Sequence, residues 1–176
     1  QSIAQITATA IVNARLDAQR HEGERVRQQV RMAVDVQRRM LPLTMPHVAP
    51  FDIAARYVPS FDLGGDFYDF IDLDGHLGVA VCDVVGKGIA ASLLMASVRS
   101  SLRAYAQDVY DIDEIISRVN VALSRDTLTN EFATLFYGVL DPAIHRFTYC
   151  NAGHEPPLLL RRGAITRLDM GGTVVG

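Results

Sequence analysis

Over residues 1–41 the apolar positions follow a helical period, with no proline and a single glycine, Gly23. A near-continuous helix of roughly 60 Å is the simplest reading. Val26, Val30, Ala33, Gln37 and Met40 recur at alternating spacings of four and three, the seam of a short coiled coil. Ile3, Ile6 and Ala10 leave that register. Extending its phase backwards through Leu16 and Val12 puts Gly23 and Gln19 in the seam, so the pattern breaks over residues 19–25. The stretch is either a linker that pairs with a second chain or an amphipathic helix packed on its own domain. Pro42 and Pro46 end it.

From Phe51 the period becomes two. Residues 51–58, 67–73 and 77–84 read as strands, and Asp74-Gly75 marks a hairpin turn between the last two. Residues 89–106 carry Leu93, Leu94, Val98, Leu102 and Tyr105 along one stripe of a helix. A second helix is expected at about 112–124, with Asp111 as its cap and Glu114 completing a capping box. Strands return at 132–140, 146–151, 157–161 and 164–168, with turns at Asp141-Pro142 and Arg162-Gly163. Strands, then helices, then strands describe an α+β protein.

Composition narrows the class. The 176 residues are 49% apolar and 21% charged, without an apolar run of transmembrane length, as in a soluble globular domain with a sizeable core. No secretory signal pattern opens the chain, and Cys82 and Cys150 sit inside apolar stretches, so a reduced, cytoplasmic protein is expected. Residues 1–41 carry seven Arg against four Asp and Glu, while residues 42–176 carry ten basic against sixteen acidic side chains. A net-acidic globular part argues against nucleic acid as the main partner and is compatible with divalent cations.

Two segments carry candidate chemistry. In Gly64-Gly65-Asp66-Phe67-Tyr68-Asp69, paired glycines precede an acidic side chain; Asp66, Tyr68 and Phe70 then share a face, and Asp69 points to the other. Asp66 and Asp69 are therefore not expected to be co-ligands. The second segment is an apolar strand that ends on Asp83 and breaks into Gly86-Lys87-Gly88 before a helix. If the two strands form a hairpin, Asp66 and Asp83 meet at its open end, where like charges repel unless a proton or a cation is shared. Hard oxygen ligands without nearby Cys or paired His suit Mg²⁺ or Mn²⁺ rather than zinc. Spacing alone leaves turn-forming and capping aspartates as the alternative.

Five segments carry a resemblance: QRRMLP at 37–42, GGDFYD at 64–69, DVVGKG at 83–88, FATLFYGVLDP at 132–142 and NAGHEPPLLL at 151–160. In this order, residues 33–176 resemble the bacterial PPM-type serine/threonine phosphatases of the sporulation and stress-response sigma-regulator kind. The resemblance implies an αββα sandwich of two antiparallel sheets between helices, a binuclear Mn²⁺ or Mg²⁺ centre, and Asp66, Asp83 and the Val84 carbonyl as metal ligands, the two aspartates being the catalytic residues. It further implies hydrolysis of a phosphoserine or phosphothreonine by metal-activated water, with an anti-sigma-factor antagonist as the phosphorylated substrate. Val85 stands where the family usually has Ser or Ala, and Glu155 where it has Asn. The family's further aspartates, one in a Ser/Thr-Asp-Gly turn, have no counterpart here, and Asp169 lies outside such a motif. These residues are therefore expected to be an incomplete domain, 42–176, with weak metal binding and little turnover alone.

Residues 3–16 resemble the last helix of a GAF sensor domain, which implies that 1–41 is a signalling linker governed by an upstream sensor, and its apolar seam leads to the expectation of a homodimer through this helix. The GGDFY segment also suggests a GGDEF nucleotidyl cyclase, but Phe67-Tyr68 replaces the acidic-aromatic pair. Gly86-Lys87-Gly88 lacks the spacing of a P-loop. His154 is expected to hold its turn by hydrogen bonding, with substrate phosphate as the other option. Lys87 is either a solvated turn residue or a phosphate contact. A catalytically inactive phosphatase fold used as a binding and dimerisation module is the alternative function.

Overall fold

The computed structural model describes residues 3–59 and 62–176. The side chains of residue 4, residues 6–10 and residue 14, including Ile6 and Ala10 of the sensor-like helix, lie outside the described residues. Contacts divide the chain into Gln1–Val36 and Gln37–Gly176. Among the described residues, no helix is long and apolar enough to cross a membrane.

The described residues of the first unit belong to helix α1, Ile3–Met40. The helix continues through residues 19–25, where the seam register breaks; Gly23 faces open space, so it costs only the weak helix propensity of glycine, about 1 kcal/mol. Val12, Leu16 and Val26 are 55%, 55% and 48% exposed.

The second unit is built on a five-stranded sheet in the order β1-β2-β3-β4-β7, with a separate two-stranded hairpin, β5-β6. β1 (Phe67–Asp72) and β2 (Leu77–Val84) pair antiparallel across Asp74-Gly75, both at positive φ (48° and 88°), as a two-residue hairpin turn requires. β3 (Ala133–Asp141) and β4 (Arg146–Ala152) continue the antiparallel order, and β7 (Gly171–Gly172) adds a parallel edge, making the sheet mixed. β5 (Leu158–Arg161) and β6 (Ala164–Arg167) turn at Arg162-Gly163. The described residues thus supply one sheet of the expected sandwich with helices on one face.

Those helices are α2 (Ile89–Asp108) and α3 (Ile112–Leu123). Met95, Val98 and Leu102 from α2, with Ile115 and Val119 from α3, join Phe67, Ile71, Cys82, Leu135 and Tyr137 of the sheet in one core. Burying each large side chain contributes about 1.5–3 kcal/mol. Asp111 caps α3 by accepting from the N–H groups of Asp113 and Glu114. The reciprocal half of the expected capping box is replaced by a Glu114–Arg118 ion pair one turn on. Both cysteines are buried and free, as their apolar surroundings predict.

The expected strand at 51–58 does not form. Phe51 makes a single bridge to Val48, and no ladder follows through Pro59. Alternating polarity assigns side chains to faces, but a strand also needs a partner for its backbone groups, and β1 is paired only with β2.

Candidate functional site

The hairpin brings the two expected aspartates together. Its register pairs Phe67 with Cys82, so one step outward Asp66 stands opposite Asp83 at the open end. Burial first, then hydrogen bonding to Asp83 and its charge, push the Asp66 carboxyl up from 3.8 to about 6. Asp66 keeps solvent contact, as befits a rim position.

Val84 turns its side chain into the core under α2, while its carbonyl lies against Gly65. A Cβ at Gly65 would come within 2.7 Å of that oxygen, so only glycine admits this approach. The Val84 carbonyl and the chain leading to Asp66 are thereby held side by side. Lys87 lies in the turn leading to α2.

Asp69 takes the opposite face, as strand alternation predicts. It is 1% exposed and held under α2, with Arg99 Nε 3.0 Å from Oδ2 and Arg103 Nη1 2.9 Å and 2.8 Å from the two oxygens. The Arg99 contact is one of charge without hydrogen-bond alignment. Burial lowers the Arg99 pKa against the pull of Asp69.

Beyond Asp83 the site is extended by β3 and the turn after β4. The Thr134 hydroxyl donates to the Asp83 carbonyl at 3.3 Å and lies 2.7 Å from His154 Nδ1. Burial lowers the His154 pKa, opposed by the charges of Asp83 and Glu155. Asn151, 4% exposed, fixes this turn: its amide accepts from the His154 N–H at 2.8 Å and donates to the His154 and Leu168 carbonyls. The expected structural role of His154 thus has visible partners, placed beside Asp83.

Three residues join the site that sequence reasoning placed elsewhere or passed over. Gln37, assigned to the coiled-coil seam, instead bonds both backbone groups of Gly64: Nε2 donates to the carbonyl at 2.6 Å, and the Gly64 N–H donates to Oε1 at 3.2 Å. A glutamine in an apolar seam was the available signal. Tyr57 lies with its hydroxyl against Gly64; burial and then the charge of Asp66 raise its pKa. Thr134 was visible only as part of a strand.

Among the described residues, no group of three or more Asp, Glu, His or Cys side chains gathers as a metal site. The Asp66–Asp83 pair nevertheless fits a hard divalent cation: two carboxylates whose mutual repulsion is relieved by positive charge, beside a backbone carbonyl.

Comparisons with known proteins bear on the family and the fold. The profile of Stage II sporulation protein E (SpoIIE) matches residues 73–176. Phosphoserine phosphatase RsbU of Bacillus subtilis (strain 168) is 29% identical over 133 residues, covering 76% of this chain and 40% of that protein. Protein IcfG of Synechocystis sp. (strain ATCC 27184 / PCC 6803 / Kazusa) is 32% identical over 170 residues, covering 80% of this chain and 27% of its own length. The chain therefore spans less than half of either relative. The SiaA-PP2C domain of Pseudomonas aeruginosa superimposes with a TM-score of 0.70 at 18% identity, over 88% of this chain and 64% of that one, which establishes the fold.

Proposed function

The chain belongs to the Stage II sporulation protein E family, and we propose that it forms part of a metal-dependent protein serine/threonine phosphatase acting on a phosphorylated regulatory protein. The observation that carries this reading is the Asp66–Asp83 pair, brought opposite each other at the hairpin's open end beside the Val84 carbonyl. RsbU is by name a phosphoserine phosphatase. The sigma-regulator resemblance points to an anti-sigma-factor antagonist as the substrate.

Asp66, Asp83 and the Val84 carbonyl would hold Mn²⁺ or Mg²⁺. Bound there, a divalent cation supplies a more acidic water and neutralises phosphoryl oxygens. The chain's own residues do the rest of the work. Gly65 permits the close approach that sets Asp66 beside Val84, and Thr134 ties the Asp83 backbone to the turn carrying His154. No nucleophilic side chain is needed for hydrolysis by water. Dimerisation through α1, with Val12, Leu16 and Val26 exposed, would connect a cytoplasmic sensor to this site.

The test is Mn²⁺-dependent phosphate release from a phosphoserine peptide, by this chain and by a version extended downstream in its gene, each with and without Asp83→Asn. Release that requires both metal and Asp83 supports the reading. Release that survives a chelator or Asp83→Asn sinks it, and no release from any version leaves a phosphatase fold used as a binding module.

A further inference from the structure

Gln37 is a buried polar side chain in the last turn of α1, only 9% exposed, and burying an amide is costly unless its donor and acceptor are both used. Both are used on a single residue, Gly64, whose carbonyl and N–H it bonds at 2.6 Å and 3.2 Å. Paired bonds of this kind stand in for the ladder that the chain lacks here, because β1 begins only at Phe67. Gly64 is two residues from Asp66, and the intervening Gly65 is pressed against the Val84 carbonyl. On the other side, the Tyr57 hydroxyl closes on Gly64, where a Cβ would meet it at 2.7 Å. The backbone leading into Asp66 is thus clamped by an amide, a phenol and a carbonyl.

We infer that Gln37 is a positioning residue for the Asp66 carboxylate, acting through Gly64. The inference rests on the reading of Asp66 as a cation ligand. The chemistry explains why glutamine stands at this helix position. A glutamate would accept from the Gly64 N–H but face its carbonyl with negative charge, a methionine would fill the space without bonding, and an asparagine is one methylene short.

The experiment compares the wild-type chain with Gln37→Met, which keeps the volume and helix propensity, and with Gln37→Glu. Two readouts are taken: amide hydrogen exchange and NMR shifts at Gly64, Gly65 and Asp66 without metal, and Mn²⁺ affinity by calorimetry. The expected result is faster exchange and shifted resonances confined to that segment in both variants, with the amide of Asn151 unmoved. Mn²⁺ binding should weaken about tenfold, the loss anticipated when such bonds are removed from a ligand's support. Unchanged resonances at Gly64–Asp66 in Gln37→Met overturn the inference, as does unchanged Mn²⁺ affinity. Failure of the wild-type chain to bind Mn²⁺ overturns the ligand reading instead, and the metal-free resonances still decide whether Gln37 positions the segment.

Discussion

Asp66 and Asp69 stand three residues apart and occupy opposite electrostatic conditions. Asp69 is buried beneath α2 and neutralised by Arg99 and Arg103. Asp66 sits at the solvent rim facing another carboxylate, and partial burial first, then that carboxylate, raise its pKa to about 6. One strand therefore carries a carboxylate whose charge has been met within the fold and one whose charge is opposed. The first arrangement fixes a helix to a sheet. The second costs stability and is tolerated where a cation or a proton is to be held.

Substitutions can break or sharpen this contrast. Asp69→Ala removes the buried partner of two arginines, and we expect a loss of about 3 kcal/mol in urea denaturation, the low end for a broken buried pair because the Arg103 side chain is 40% exposed. A loss below roughly 1 kcal/mol would mean that the ion pairs are ornamental and the contrast false. Replacing the whole triad, Asp69→Leu with Arg99→Met and Arg103→Met, should recover most of that loss, because buried charges are exchanged for packing rather than stranded. Thr134→Val removes the hydroxyl between the Asp83 carbonyl and His154. It should cost roughly 1 kcal/mol and move the His154 titration seen by NMR.

The smallest effect has the opposite sign. In a chelator at neutral pH, Asp83→Asn removes a like charge from Asp66 and should raise stability by roughly 0.5–1 kcal/mol, a figure held low by solvent screening at the rim. The Asp66 pKa lies at about 6 in the folded chain against an ordinary 3.8, so folding takes up a proton and this group's contribution falls as pH rises between them. The gain from Asp83→Asn should therefore shrink below pH 6. A destabilised Asp83→Asn under these conditions would remove the repulsion on which the contrast depends.

Much of the second unit was legible in residue patterns. The Asp74-Gly75 turn, the span of β2, the start of α2 and the Asp111 cap follow from turn chemistry, period and capping, all set within a few residues. The opposed faces of Asp66 and Asp69 follow from strand alternation alone. Residues 51–58 were misread because alternation carries no information about a pairing partner. β7 escaped notice because Gly171-Gly172 has no side chains to alternate, and its pairing with Asn151 and Ala152 is long-range.

Gln37 shows the same limit at the site. Its spacing from Ala33 and Met40 fits a helix seam, yet its amide is spent on Gly64, 27 residues away. The sequence alone determined the local elements, the family motifs and the pair of aspartates at a hairpin's open end, since period, turn residues and register act over short separations. Only the tertiary structure decided that Asp69 meets two arginines, that Thr134 joins Asp83 to His154, and that Gln37 holds the backbone before Asp66. Those outcomes depend on which distant donor reaches which acceptor once the chain has closed, and no local pattern encodes that choice.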